Sequence, residues 1–307
     1  MSLALDLFTG AAAVAWWGPA ALRLCFRHVA DPLAVLLGWV GLLVAVTATF
    51  GLAIAMLLAP GTTHEWALHD LARICWHWTR PSRPPALDEI VGAVGALTMI
   101  AALAEFAMTC ARRARSAHRA RQAHADLLTL TGGKSEFGED GVLWIPHSTP
   151  LAYSLGGSHG VTVLASCARD LPAEQLAAVL SHERAHLRER HHILVSAVEG
   201  LAAAVPWLPL TREAPSAVRL LVELRADAAA VRECGQAAVR NALLTFASAP
   251  HPPSALSMAG AEVAIRLQRL QGHRPPGRNL AARGVLASVA LIAPMSVGLL
   301  AGIVSCL

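Results

Sequence analysis

Two long apolar segments without a charged residue constrain this chain more than any other feature of its sequence. They occupy residues 33–59 and 284–307. A helix crosses the hydrocarbon core of a bilayer with about 20 consecutive apolar residues, and both segments reach that length. The charged fraction agrees, since 15% of the residues are charged against about 25% in soluble domains. The chain is therefore expected to be an integral membrane protein with the lipid bilayer as a partner.

Two further segments, 3–22 and 90–110, are apolar over a similar length and contain one acidic residue each. Together with the uncharged segments they predict four transmembrane helices, three before and one after the region 111–283. The first basic residue is Arg23. Because no basic stretch precedes segment 3–22, we expect this segment to remain as a membrane anchor and not to be a cleaved signal peptide.

Arginine placement predicts the orientation of these helices. The sequence RRARSAHRAR, residues 112–121, follows the third predicted helix directly and contains no acidic residue, whereas loop 60–89 balances its arginines with acidic residues. Short cytoplasmic loops of membrane proteins are enriched in Lys and Arg. We therefore expect residues 111–283 to lie in the cytoplasm and both termini to lie on the extracytoplasmic side of the cell membrane. The net charge of +4 is modest and the arginines are local, so no direct contact with nucleic acid is expected.

The cytoplasmic region mixes strand and helix patterns and is long enough for one domain. Short β-type runs occur at 142–145 and 161–166. Helices are expected from Leu171 onward, from Pro215 to Gly235 and, in a short patch, at 260–271. The predicted fold class is mainly α: a polytopic membrane protein with four transmembrane helices and a cytoplasmic α+β domain. The expected domains are 1–110, 111–283 and 284–307.

The first helix of the cytoplasmic region contains the sequence HERAH, residues 182–186. Residues four apart lie on one face of a helix, so His182 and His186 can bind one Zn²⁺ together. Glu183 lies beside the first ligand and can act as a general base on water activated by the metal. A similar sequence, HEWALH at 64–69, places its histidines five apart and off a common helical face, so we do not expect a metal site there.

A third ligand is expected on the second helix. A catalytic zinc takes three protein ligands and keeps one position open. Glu223 and Asp227 lie four residues apart on an otherwise apolar helix, where two buried carboxylates are costly unless they bind a metal or an imidazole. We predict that Glu223 is the third ligand and that Asp227 orients a ligand histidine. The alternative is a solvated helix face on which Arg219 and Arg225 pair with the two acids.

These motifs carry a resemblance to known membrane proteases. The pattern H-E-x-x-H followed by E-x-x-x-D is similar to that of gluzincin metallopeptidases, and the sequence LPAEQLAAVLSHERAHLRER, residues 171–190, resembles the zinc helix of the BlaR/MecR-type sensor-transducers and of the HtpX-type proteases. Three predicted spans before the zinc helix and one after it favour the BlaR/MecR type. The resemblance implies a zincin-like domain and regulatory proteolysis of a protein substrate, either a BlaI-like repressor or the chain itself.

Two other functions stay open at this point. The HtpX-type resemblance implies a protease that degrades damaged membrane proteins. A non-catalytic membrane signalling scaffold could also keep a zinc fold, although such a scaffold has no need for a general base at Glu183.

The chain departs from the BlaR/MecR pattern in two places. Five residues after the second ligand histidine, where the family usually has Asp, this chain has His191. The receptors also carry an extracellular penicillin-binding domain after the fourth span, whereas this sequence ends with that span at Leu307. We therefore expect a peptidase without a β-lactam sensor.

Three further expectations concern the surroundings of the site. Segment 193–210 is apolar, but a crossing there would separate Glu223 from His182, so we predict a buried or membrane-surface hairpin. Strand 161–166 is interpreted either as a sheet edge that binds an extended peptide or as an ordinary core strand. Candidate residues for lining the site are Tyr153, Cys167, His191 and His192, although a surface or packing role is favoured for each of them.

Overall fold

The structure is a computed structural model that is mainly helical. It describes residues 3–28, 31–58, 101, 104–116, 118–120, 122–123, 126–127, 136–137, 142–156, 161–248, 256–271 and 280–306. The elements are α1 (Leu3–His28), α2 (Pro32–Leu58), β1 (Glu136–Phe137), β2 (Val142–Ile145), β3 (Ala152–Leu155), β4 (Val161–Ala165), α3 (Ala173–Arg188), α4 (His191–Ala204), α5 (Pro209–Cys234), α6 (Gln236–Ala247), α7 (Leu256–Gln271) and α8 (Leu280–Cys306). The sequence HEWALH at 64–69, where no metal site is expected, lies outside the described residues.

Two helices of the described chain are long and apolar enough to cross a membrane. The qualifying stretches are Pro32–Ile54 in α2 and Leu280–Leu300 in α8, which correspond to the two uncharged segments of the sequence. The predicted span 3–22 lies within α1, which is helical but is not among these stretches. Most of the predicted span 90–110 lies outside the described residues; its described end is part of a helix that continues to residue 116.

Helices α1, α2 and α8 pack against one another as a bundle. The crossing of α1 and α8 depends on two glycines: a Cβ atom on Gly10 would meet the backbone of Gly298, and a Cβ atom on Gly298 would lie 2.7 Å from the backbone oxygen of Asp6. Small residues let helix backbones approach this closely. The starts of α2 and α8 are joined by Arg283, whose Nε donates to Asp31 Oδ2 at 2.7 Å.

The sheet has the order β1-β2-β4-β3. β4 pairs in parallel with β2 and antiparallel with β3, and its residues Val163, Leu164 and Ala165 are fully buried. The prediction that 161–166 is a substrate-binding edge is therefore wrong, because both sides of β4 are already hydrogen-bonded; the core-strand interpretation is confirmed. The edge strands are β1 and β3, and β3 packs against α3.

Helix α5 begins at Pro209, and the prediction that it starts after Pro215 is wrong. Pro215 removes one backbone donor, yet the helix continues through it. The reason is burial: Leu210, Ala214 and Val218 are all 0% exposed and form one apolar stripe across the proline. Burial of that stripe outweighs the lost hydrogen bond.

Segment 193–210 forms one arm and the turn of a helical hairpin, whereas the prediction placed the whole hairpin in this segment. α4 ends at Ala204, α5 begins at Pro209, and the two helices pack against each other, with Arg219 Nε donating to Glu199 Oε1 at 3.1 Å. Leu208 at the turn belongs to the same buried cluster as Trp39 of α2. The hairpin therefore packs against the bundle and brings the chain back toward α3.

Candidate metal centre

The centre is built where α3 crosses α5. Three alanines meet at this crossing, Ala185 of α3 with Ala226 and Ala229 of α5, and none is more than 1% exposed. Side chains this small let the two helix axes approach closely. Beside this contact, the histidines of α3 face the carboxylates of α5.

Three residues bring possible ligand atoms together at this position, and we call them the donor triangle. His182 Nε2 lies 3.1 Å from His186 Nε2. Oε2 of Glu223 lies 3.3 Å from His182 Nε2, and its other oxygen, Oε1, lies 3.3 Å from His186 Nε2. Around a tetrahedral zinc with ligands at about 2.0–2.1 Å, neighbouring ligand atoms are about 3.3 Å apart. The nearest contacts are close to this spacing, and one ligand atom from each of the three residues lies within 4.8 Å of the others, so the group could hold a metal ion. It is the one group of this kind found among the described residues.

Asp227 lies at the position predicted for it. Its Oδ1 is 3.0 Å from His182 Nδ1, and its side chain is almost completely buried. A carboxylate at Nδ1 holds the proton of a neutral imidazole on that nitrogen. The lone pair of His182 Nε2 is thus left facing the triangle, as a metal ligand requires.

The two histidines have opposite proton affinities in the metal-free chain. Burial alone would lower the pKa of His182, but the carboxylates of Asp227 and Glu223 outweigh it and raise that pKa to about 10. Burial lowers the pKa of His186 to about 4, although Glu223 acts in the opposite direction. Without metal, the triangle therefore holds one proton at neutral pH, on His182, and a metal ion has to displace it.

Glu183 faces the same cavity as the triangle. Its side chain is 8% exposed, and burial raises the pKa of Glu183 above its ordinary value, against the opposing charge of His182 and a hydrogen bond with Ser154. A carboxylate whose pKa is shifted toward neutrality is suited to accept and return a proton. The geometry is consistent with the general-base role predicted for it.

Arg266 of α7 is a site residue that the sequence did not indicate. Its Nε and Nη2 donate to the two oxygens of Asp227 at 2.8 and 2.7 Å, and its Nη1 lies 2.9 Å from Glu223 Oε2. Burial works to raise the pKa of Glu223, but hydrogen bonding to His182 and the charges of His182 and Arg266 hold it well below its usual range. Glu223 therefore stays ionised and available as a ligand.

The solvated-face alternative for the two acids is wrong. Arg219 pairs with Glu199 and Arg225 pairs with Glu189, so neither arginine contacts Glu223 or Asp227. The signal that could have indicated Arg266 is an arginine among apolar residues of the patch 260–271, which needs a buried acid as its partner.

The triangle opens into two adjoining cavities. The first is lined by Tyr153 and Ser154 of β3 and by apolar residues of α3 and α6: Ala178, Val179, Val239, Ala242, Leu243 and Phe246. The second contains His191 and His192. Tyr153, His191 and His192 thus line these cavities, although the sequence favours a surface or packing role for each of them, whereas Cys167 is not among the residues that line either cavity.

No protein-family model, curated protein or solved structure matches this chain.

Proposed function

We propose that this chain is an integral membrane zinc-dependent endopeptidase that carries out regulatory proteolysis at the cytoplasmic membrane face, on a BlaI-like repressor or on itself. The observation that carries the proposal is the donor triangle of His182, His186 and Glu223, with spacings of 3.1–3.3 Å and with the buried carboxylate of Glu183 in the same cavity.

The donor set favours zinc. Two imidazole nitrogens and one carboxylate are the ligands of catalytic zinc sites that keep a fourth position open for water or substrate. When bound, zinc polarises a carbonyl group and lowers the pKa of a water molecule. Asp227 supplies the hydrogen bond that fixes the ring of one ligand histidine, which such sites generally need.

Three residues of the centre have separate roles in the proposed reaction. Glu183 accepts the proton of the attacking water and delivers it to the nitrogen of the leaving amine. Asp227 keeps the ring of His182 oriented, and Arg266 neutralises the carboxylates of Asp227 and Glu223. This neutralisation is needed because two buried negative charges side by side are otherwise costly.

The edge strand β3 supports a peptide as the substrate. No described strand pairs with its outer side, and an exposed edge can bind an extended peptide by backbone hydrogen bonds. Tyr153 and Ser154 of this strand line the cavity of the centre, and the facing wall of α3 and α6 is apolar. A peptide bound along β3 would therefore bring its backbone to Glu183 and an apolar side chain into that wall.

The position of the centre supports cleavage at the membrane surface. Arg269, one helical turn beyond Arg266, donates through Nη2 to the backbone oxygen of Phe26 at 2.7 Å and stacks over the Phe26 ring. Phe26 lies at the end of α1, next to the candidate membrane helices. This short connection holds the centre beside the bundle.

The test compares the full chain, purified in detergent, with the Glu183→Gln variant. We expect both proteins to bind zinc, measured by elemental analysis, and we expect cleavage of casein or self-cleavage to fall by about a hundredfold or more in the variant. The matched control is Glu174→Gln, the same change at an exposed position of the same helix, which should leave cleavage unchanged. Equal cleavage by wild type and Glu183→Gln would overturn the mechanism.

A second experiment tests the regulatory role. The wild type and Glu183→Gln are each co-expressed with a BlaI-like repressor, and intact repressor and transcripts of its target genes are measured. Loss of intact repressor with the wild type alone supports regulatory proteolysis. Unchanged repressor and transcripts with both proteins, together with cleavage of damaged membrane proteins, would favour quality control instead.

A further inference from the structure

We infer that His191 is the positioning residue for His186, and that it performs at this ligand the task that the carboxylate of Asp227 performs at His182. The inference rests on the metal site of the proposed function and adds a residue to it.

The chain turns sharply so that His191 can reach its partner. α3 ends at Arg188 and α4 begins at His191. Between them Arg190 has φ 51°, and it is the single described non-glycine residue with a positive φ. A left-handed residue of this kind is disfavoured unless the surrounding structure requires it. Here it turns the chain so that the first residue of α4 contacts the last turn of α3.

The contact itself involves one atom of each ring. His191 Nδ1 lies 3.0 Å from His186 Nδ1, and the rings meet edge to face with centroids 4.8 Å apart. Because Nε2 of His186 belongs to the donor triangle, the proton of its neutral ring must be on Nδ1. His186 therefore donates this hydrogen bond, and Nδ1 of His191 accepts it.

The other nitrogen of His191 faces a fixed carboxylate. With its Nδ1 acting as acceptor, neutral His191 carries its proton on Nε2, which lies 3.4 Å from Glu189 Oε2 without a hydrogen bond to it. Glu189 is held in turn by Arg225, which donates from Nε and Nη2 to its two oxygens at 2.9 and 2.8 Å. One chain of contacts thus runs from His186 through His191 and Glu189 to Arg225.

Burial favours this role over simple packing. His191 is 3% exposed, and an apolar side chain would fill such a position at lower cost. An outer partner at a ligand histidine fixes the ring and the tautomer, and loss of such a partner typically lowers metal affinity about 10–100-fold. His191 is placed to supply this partner at His186, since Asp227 contacts only the ring of His182 among the two ligand histidines.

The experiment measures zinc affinity by competition with a chromogenic chelator, using the full chain in detergent. His191→Phe keeps an aromatic ring of similar size but removes the acceptor, so zinc affinity should fall about 10–100-fold and the visible spectrum of the Co²⁺-substituted protein should change. His191→Asn keeps an acceptor oxygen and should recover most of the affinity. In the metal-free state, the unfolding temperature of His191→Phe should be close to that of the wild type.

Three outcomes would contradict the inference. Equal zinc affinity of His191→Phe and wild type would refute the positioning role while leaving zinc binding and proteolysis by the wild type intact. Equal losses of affinity in His191→Phe and His191→Asn, together with loss of metal-free stability, would show a packing role. Absence of zinc from the wild type would refute both this inference and the proposed function.

Discussion

The bundle of α1, α2 and α8 and the metal centre between α3, α5 and α7 are held together by opposite means. In the bundle, backbones touch at Gly10 and Gly298, and most contacts are apolar. In the centre, Asp227 is buried and both of its oxygens are bonded to charged or polar groups. The bundle therefore depends on side-chain volume, and the centre depends on the direction of hydrogen bonds and on charge balance.

We therefore expect that fold stability and metal affinity can be lost independently of each other. A change of volume in the bundle should lower the stability of the fold and leave metal affinity intact. A change of a polar or charged side chain in the centre should lower metal affinity and leave the stability of the fold intact. We make five predictions about the two regions, beginning with the largest expected effect.

The largest effect is expected from Glu223→Gln. The amide is a weaker ligand than the carboxylate and also reduces the negative charge that balances Arg266. Zinc affinity should fall by more than the roughly hundredfold loss that a change outside the ligand set produces, as measured by zinc content after dialysis against a chelator. Glu262→Gln, a change in the second cavity, is the control and should keep the metal. Retention of zinc by Glu223→Gln would show that the triangle is not the site.

A volume change in the bundle should have the next largest effect. Gly298→Leu places a side chain against the backbone of α1, whose nearest oxygen is 2.7 Å from the Cβ position, so the free energy of unfolding should fall by about 1–3 kcal/mol. Gly284→Leu is the matched control on the same helix, because a Cβ atom there has no neighbour within 4 Å. Loss of zinc affinity in Gly298→Leu at temperatures where the protein is folded would break the separation of the two regions.

The pH dependence of zinc binding should be smaller but measurable. The pKa of His182 is about 10 in the metal-free chain and that of His186 is about 4, so about one proton leaves the triangle when the metal binds. Zinc affinity should therefore rise about tenfold per pH unit between about pH 7 and 9. Proton release measured calorimetrically in buffers of different ionisation enthalpy checks the number of protons. Zinc affinity that is independent of pH would contradict the proton on His182.

The same pKa predicts the opposite slope for the stability of the metal-free chain. The folded-state pKa of His182 lies above its ordinary value. Its contribution to stability is thus fully present below about pH 6.5 and is lost as the pH rises toward 10. The difference in the free energy of unfolding between the zinc-bound and the metal-free protein should therefore be larger at pH 9 than at pH 7.

The smallest effect is expected from Arg23→Ala. Arg23 pairs with Glu213 between α1 and α5, but the arginine is 58% exposed, and such pairs contribute about 0.2–1 kcal/mol. Arg283→Ala is the comparison within the bundle: Arg283 is 17% exposed and contacts the buried carboxylate of Asp31, so its removal should cost more stability. Unfolding temperatures in detergent check the order. A larger loss for Arg23→Ala would mean that exposed charge, and not burial, links α1 to α5.

The sequence predicted the residues whose geometry is local. His182 with His186, and Glu223 with Asp227, lie four apart on single helices, so the helical repeat alone places each pair on one face. The strands 142–145 and 161–165 were also found, because their β-branched runs are distinctive. The two uncharged segments correspond to the two described helices that are long and apolar enough to span a membrane.

The residues that were missed depend on contacts that no local pattern contains. Arg266 is 39 residues from Asp227 along the chain. His191 is five residues from His186, which on a continuous helix would place it about 140° around the axis; the left-handed turn at Arg190 returns it to the ligand. Strand β3 was missed because AYSL is short and lacks the alternation of apolar residues that marks a half-buried strand.

Helix α5 belongs to both regions, and this has a consequence for how they influence each other. Its first half packs on α1 and α2 through Leu210, Ala214 and Val218, and its second half carries Glu223, while the ligand histidines are on α3. A bound metal requires fixed distances between its three donors, so metal binding also restricts how α5 can tilt relative to α3. By thermodynamic reciprocity, a repacking that tilts α5 itself, unlike a volume change at the crossing of α1 and α8, must change the metal affinity by the same factor by which metal binding changes that tilt equilibrium.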